Sequence, residues 1–216
     1  MDSLVVISKK ANELFRESFT ECCRVRDEIP SEDKTIEDDS KRITIAKKNL
    51  MDSAQLAGQI IKALDGGSLL LSLIGLRSLT ESLINTKYTF AHPDHKVDLV
   101  WVRAVCKDYF DRGNDPKARK SGLDDAGIER RAKEAGADDL FNKTFVGLCN
   151  YTHMLVHTGP LNDPAKFEDY TRNGYVTTLS TLHDVREHIR EHFGIKGWPK
   201  HEERLVNFRD LYLSAE

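Results

Sequence analysis

The chain has 216 residues, with 32 Lys and Arg against 35 Asp and Glu, a formal net charge of -3. Charges so nearly balanced give no global attraction to nucleic acid, and only a local basic patch can supply one. Four cysteines, Cys22, Cys23, Cys106 and Cys149, form no Cys-x-x-Cys pair, which argues against a zinc knuckle and for reduced thiols packed as small apolar residues.

The start, Met1-Asp2-Ser3-Leu4, lacks the basic segment and apolar run of a signal peptide. The longest apolar run, Leu69 to Leu76, is broken by Ser72 and Gly75 and is too short to span a bilayer. A soluble, cytoplasmic protein with no membrane association is expected.

In chain order, apolar periodicity predicts a first helix from about Ser3 to Arg26, on the stripe Leu4, Ile7, Ala11, Leu14, Phe15, Phe19 and Cys22. The acidic stretch Asp27 to Asp39, with Pro30 and Ser31, reads as a connector. A second helix, Lys41 to Leu64, stops at Gly66-Gly67. Ser68 can cap a third from Leu69 to Phe90, apolar almost all round in its first half and so expected to be central and most buried. His92-Pro93-Asp94-His95 is a loop, and Asp94 can cap a fourth helix ending near Arg112. Pro116 to Gly122 is a linker. A short charged helix, Asp124 to Ala135, ends at Gly136.

Asp138 to His157 reads as one long helix, with Leu140, Phe141, Phe145, Val146, Leu148 and Cys149 toward the core, stopped by Gly159-Pro160. Another follows from Phe167 to Phe193, ended by Gly194, and a short segment, Glu202 to Leu213, completes the chain. No internal repeat is visible. The pattern predicts an all-α, up-and-down bundle of four to five long helices with short accessory ones. It forms a single domain over 1–216: an N-terminal helix and connector (1–40), a core (41–194) and a C-terminal extension (195–216).

Two constellations carry chemistry. Arg77 and Glu81 lie four apart on the most apolar helix, spaced for an ion pair or for an anion contact. His153 and His157 share a face at a helix C-terminus, where the dipole favours a charged imidazole. Three readings of these histidines stay open: general acid/base groups, metal ligands, or hydrogen-bonded residues at a helix end. No glutamate between them completes a His-Glu-x-x-His motif, so no tightly held metal is expected. His188 and His192, among Arg186, Glu187, Arg190 and Glu191, read as a solvated face. Lys117, Arg119, Lys120, Arg130, Arg131 and Lys133 make a basic stretch diluted by neighbouring Asp and Glu, which reads as a solvated linker.

The run Leu71-Ser72-Leu73-Ile74-Gly75-Leu76-Arg77-Ser78-Leu79-Thr80-Glu81, followed later by Asn150-Tyr151-Thr152 to His157-Thr158, resembles the HEPN-like superfamily of helical bundles. There an Arg-x3-Glu helix packs beside a helix with a Tyr-Ser/Thr start and a terminal His. The resemblance covers roughly residues 41 to 192. Catalytic members are metal-independent ribonucleases marked by an Arg, usually a polar residue, and then a His. Counting back from His157, the positions for that Arg hold Asn150, Tyr151 and Thr152, with Cys149 before them.

The resemblance implies a protein that binds or cleaves RNA or nucleotide, in a toxin or phage-defence setting, without a cofactor. It also implies a homodimer with the His157 helix end near the two-fold axis. In the catalytic version His157 is the acid/base, Arg77 stabilises the phosphate and Asn150 orients the substrate, with Glu81, Tyr151 and His153 binding it. The alternative is a non-catalytic interaction module, as members lacking the signature are, with Arg77, Glu81 and His157 as a structural cluster.

Overall fold

The computed structural model describes residues 3–30, 37–91, 125–152 and 163–212. Among them the regular structure is entirely helical, with seven α-helices and no strand. The expected fourth helix from Asp94 lies outside the described residues.

Helix α1 (Leu4–Glu28) buries Ile7, Ala11, Leu14, Ser18, Glu21 and Val25. Their spacing alternates four and three, the seam of a helix packed along its length on others. Two of its members are polar. Helix α2 (Glu37–Asp65) starts four residues before the Lys41 that the apolar pattern predicts. It ends where Gly67 adopts a φ of 70°. There the Ser68 N–H donates to the Ala63 carbonyl at 2.7 Å and the Gly67 N–H to the Leu64 carbonyl at 3.0 Å.

Helix α3 (Leu69–Ala91) returns along α2. Ser8 of α1 bonds Asp65 at the end of α2 at 2.6 Å, and Ser53 of α2 meets Ser82 of α3 at 2.7 Å. Helices α1, α2 and α3 therefore alternate in direction. After the intervening segments, α6 (Pro164–His192) lies against all three. Its Tyr175 hydroxyl donates to Asp65 at 2.6 Å and its His192 ring lies 4.2 Å from Phe90, so it runs in the sense of α1 and α3. The last helix, α7 (Pro199–Tyr212), seals one side with Leu205, Phe208 and Tyr212.

Between α3 and α6 come α4 (Asp125–Glu134), a π-helical stretch (Leu140–Phe145) and α5 (Val146–Thr152). Ile84, Ile128, Ala132, Ala137 and Phe145 form a second, smaller core against α3. Helix α3 is thus the wall shared by two cores, but it is not buried all round. Leu71 is 62 % exposed and Ile74 41 %, because the first turns of α3 bury only the sides that carry Leu69, Ser72, Leu73 and Leu76.

The helix expected to run unbroken from Asp138 is interrupted by the π-helical stretch, whose i to i+5 bonding shifts the register of everything after it. Val146, expected in the core, is consequently exposed, while Phe145 is 1 % exposed and stacks on Phe141 at 5.5 Å.

Candidate functional site

The sequence-predicted cluster forms where α3 meets the π-helical stretch and α5. Arg77 leaves α3 half-buried, with its guanidinium carbon 5.1 Å from the Phe145 ring centroid. Its Nε donates to Cys149 Sγ at 3.2 Å. Phe145 closes the π-helical stretch and Cys149 follows one turn later on α5, so the register shift brings both beneath the same side chain. Glu81 is half-buried on the Arg77 face of α3, one turn on. A ring face and a thiol are soft partners for a cation. They help to fix the plane of the guanidinium.

Two turns beyond Glu81, burial and the neighbouring Glu134 carboxylate push the Tyr88 phenol above its ordinary range. Arg131, expected on a solvated surface, is only 6 % exposed and packs beside Ala132 in the smaller core. Arg130 stays outside, 3.9 Å from Glu134. The basic stretch is therefore discontinuous among the described residues, because consecutive helical positions point about 100° apart around the axis.

Asn150 and Tyr151 continue α5 directly from Cys149. His153 and His157 lie outside the described residues, as do His92, His95, Lys117, Arg119 and Lys120. The structure thus joins Arg77 to Cys149 and Phe145 and places Glu81 beside them. The role of Cys149 was not foreseen, since its position relative to Arg77 depends on the π-helical register. Among the described residues no group of three His, Cys, Asp or Glu is arranged to hold a metal ion. No described helix is long and apolar enough to cross a membrane.

A second polar centre contradicts the expected solvated face on α6. Arg186 is 1 % exposed, and the side chains of Glu187 and Arg190 are 16 % and 18 % exposed. Arg186 donates through Nη2 to His183 Nδ1 at 2.7 Å and through Nε to Glu187 at 3.0 Å. Arg190 Nε donates to Glu187 at 2.7 Å and its Nη1 to the Ile195 carbonyl at 2.8 Å. From α7, buried His201 places Nε2 3.0 Å from Ser18 Oγ and Nδ1 3.3 Å from the Glu17 carboxylate. Its partners assign Nδ1–H as donor to Glu17 and Nε2 as acceptor from Ser18. Arg24 binds Glu21 and reaches the Lys196 carbonyl at 2.6 Å.

Burial and the Arg186 charge pull His183 down from the usual 6.5 to about 4. The same two causes lower His201, against the opposing pull of Glu17. Burial pushes the nearby Cys22 thiol up to about 12, with Arg186 opposing. His201 thus ties α7 to α1, while His183 and Arg186 pair along α6 and Cys22 is a buried thiol beside them. His188 is half-buried and His192 exposed, as expected of a solvated face, and both rings lie against Phe90, at 5.9 and 4.2 Å between centroids.

What the fold defines is an all-helical protein of long packed helices with a second small core beside them. No family model, curated protein or solved structure matches the chain.

Proposed function

We propose that the protein binds RNA or a nucleotide, the ligand class its resemblance to HEPN-like bundles implies, at the α3–α5 junction, with Arg77 on α3 standing in as the phosphate contact. The observation that carries this reading is the state of Arg77. It is half-buried, oriented by Phe145 and bonded through Nε to a thiol. A guanidinium held in one plane loses little freedom on meeting a phosphate, which it matches as a fork of donors. In the catalytic form of the proposal, His157 takes and returns the proton of the ribose 2′-OH and Asn150 orients the substrate. Cleavage then leaves a 2′,3′-cyclic phosphate and is insensitive to EDTA.

A second reading is a non-catalytic interaction module, favoured by the apolar side chains around the same junction. Ile74 stands one turn before Arg77 and is 41 % exposed, Leu71 is 62 % exposed, and Val146, next to Phe145, is 39 % exposed.

Fluorescence anisotropy of a labelled single-stranded RNA separates the two. Arg77→Ala should weaken binding about tenfold or more while the melting profile stays cooperative. His157→Ala should leave binding in place and reduce cleavage roughly 100-fold. No binding by wild type, or equal binding by a folded Arg77→Ala variant, removes the RNA reading and leaves the interaction module standing.

A further inference from the structure

A groove of about 560 Å³ opens between α1 and α2, lined by these two helices alone. Its floor is Phe15 and Phe19, one turn apart on α1, with ring centroids 6.1 Å apart and planes tilted by 58°. Both rings are half-buried and rest on the main core. Facing them on α2 is Gly58, where an added Cβ would stand 2.8 Å from the tip of the Phe15 ring. A side chain at this position would therefore displace the floor.

Besides Thr20, the polar lining is two glutamines and two cations. Gln55, Gln59 and Lys62 follow at four and three residues along α2, and Arg16 stands on α1 beside Phe15 and Phe19. No carboxylate lines the groove. Among the described residues none of these four side chains has a hydrogen bond or an ion pair. On the same helices Arg24 pairs with Glu21 and Lys48 with Asp52. In a chain of net charge -3, this is a local excess of positive charge over an aromatic floor.

We propose that the α1–α2 groove binds a small ligand with a planar aromatic body and one anionic group. Phe15 and Phe19 present ring faces and edges on which a planar ring packs. The Gln55 and Gln59 amides offer both donors and acceptors to its edge. Arg16 and Lys62 take the phosphate or carboxylate as charge-assisted partners. The size agrees with this class. From Gln55 to Lys62 the lining spans about 10 Å of helix, enough for a fused ring and one charged group but short of a docked peptide helix of three turns. The volume falls within the roughly 300–1,000 Å³ of ordinary small-ligand sites. This site uses no residue of the α3–α5 junction, so it stands apart from the RNA reading.

Calorimetric titration of the full chain tests it with four probes: 1-naphthyl phosphate, 1-naphthoate, inorganic phosphate and 1-naphthol. The expected result is one saturable site for at least one of the two aromatic anions. The tighter of them shows whether the natural ligand carries phosphate or carboxylate. Inorganic phosphate and naphthol should bind at least about tenfold more weakly, since each lacks half of the recognition. Lys62→Glu and Arg16→Glu, both at exposed positions, should each weaken the aromatic anion about tenfold or more. Gly58→Leu should abolish binding, and circular dichroism establishes that each variant is folded. The proposal is overturned if neither aromatic anion binds, if naphthol or phosphate binds as tightly as the anion, or if both folded charge variants retain wild-type affinity.

Discussion

Arg186 and Arg77 are both arginines set among apolar residues of long helices, and the protein treats them in opposite ways. Arg186 is sealed, with His183 and Glu187 bonded to it and Arg190 completing the network. Arg77 is half-buried and rests on a ring and a thiol. The bonds of Arg186 stay within α6, while His201 and Ser18 join α7 to α1 at the same junction. A buried charge is costly unless it is paired, and Glu187 and His183 supply that pairing through Nε and Nη2 while Nη1 has no protein partner. An oriented but half-exposed cation is suited instead to an external anion.

The largest expected effect separates the two arginines directly. Arg186→Ala leaves Glu187 and His183 buried beside a cavity, and should cost about 3–5 kcal/mol in urea unfolding. Arg77→Ala should cost about 1 kcal/mol, the ordinary scale for a point substitution. Equal losses would erase the contrast between the two arginines.

The next effect is in pH. His183 accepts a hydrogen bond from Arg186 and therefore has no place for a second proton, and His201 is held neutral by burial. The folded-state pKa values lie below the unfolded value near 6.5, so the unfolded chain binds more protons between them. Stability should be full above about pH 6.5 and fall as the pH is lowered toward about 4. His183→Gln should flatten that slope, whereas Arg77→Ala should leave it unchanged. A urea midpoint that rises on acidification through this window contradicts the assignment.

The smallest effect belongs to Cys149→Ser. The hydroxyl still accepts from Arg77 Nε, so stability should shift by no more than about 0.5 kcal/mol. A large loss on calorimetry would mean that the thiol supports the fold in its own right.

Much of the Arg186 centre was legible in the spacing of residues. Tyr175, Leu179, Leu182, Arg186 and Ile189 follow at four, three, four and three, which puts Arg186 on the packed seam of α6. Ser18 and Glu21 occupy the corresponding seam of α1. Read by charge alone, α6 looks solvated; read by period, its arginine points inward. The Arg77 site is the opposite case. Arg77 and Glu81 are visible as a polar pair on an apolar helix, but the partners Phe145 and Cys149 are not, because a π-helical stretch breaks the period that would locate them.

The sequence by itself determined the helical class and the ends of its main helices, since glycine stops and apolar stripes act through local backbone geometry and periodicity. Gly67 and Gly194, at φ 70° and 64°, end α2 and α6 where the pattern predicts. Only the tertiary structure decided which polar side chains are buried, which helix faces stay open, and how α1 and α2 leave a cationic groove between them. Those outcomes depend on residues tens to hundreds of positions apart meeting in one register, and local propensity carries no record of that meeting.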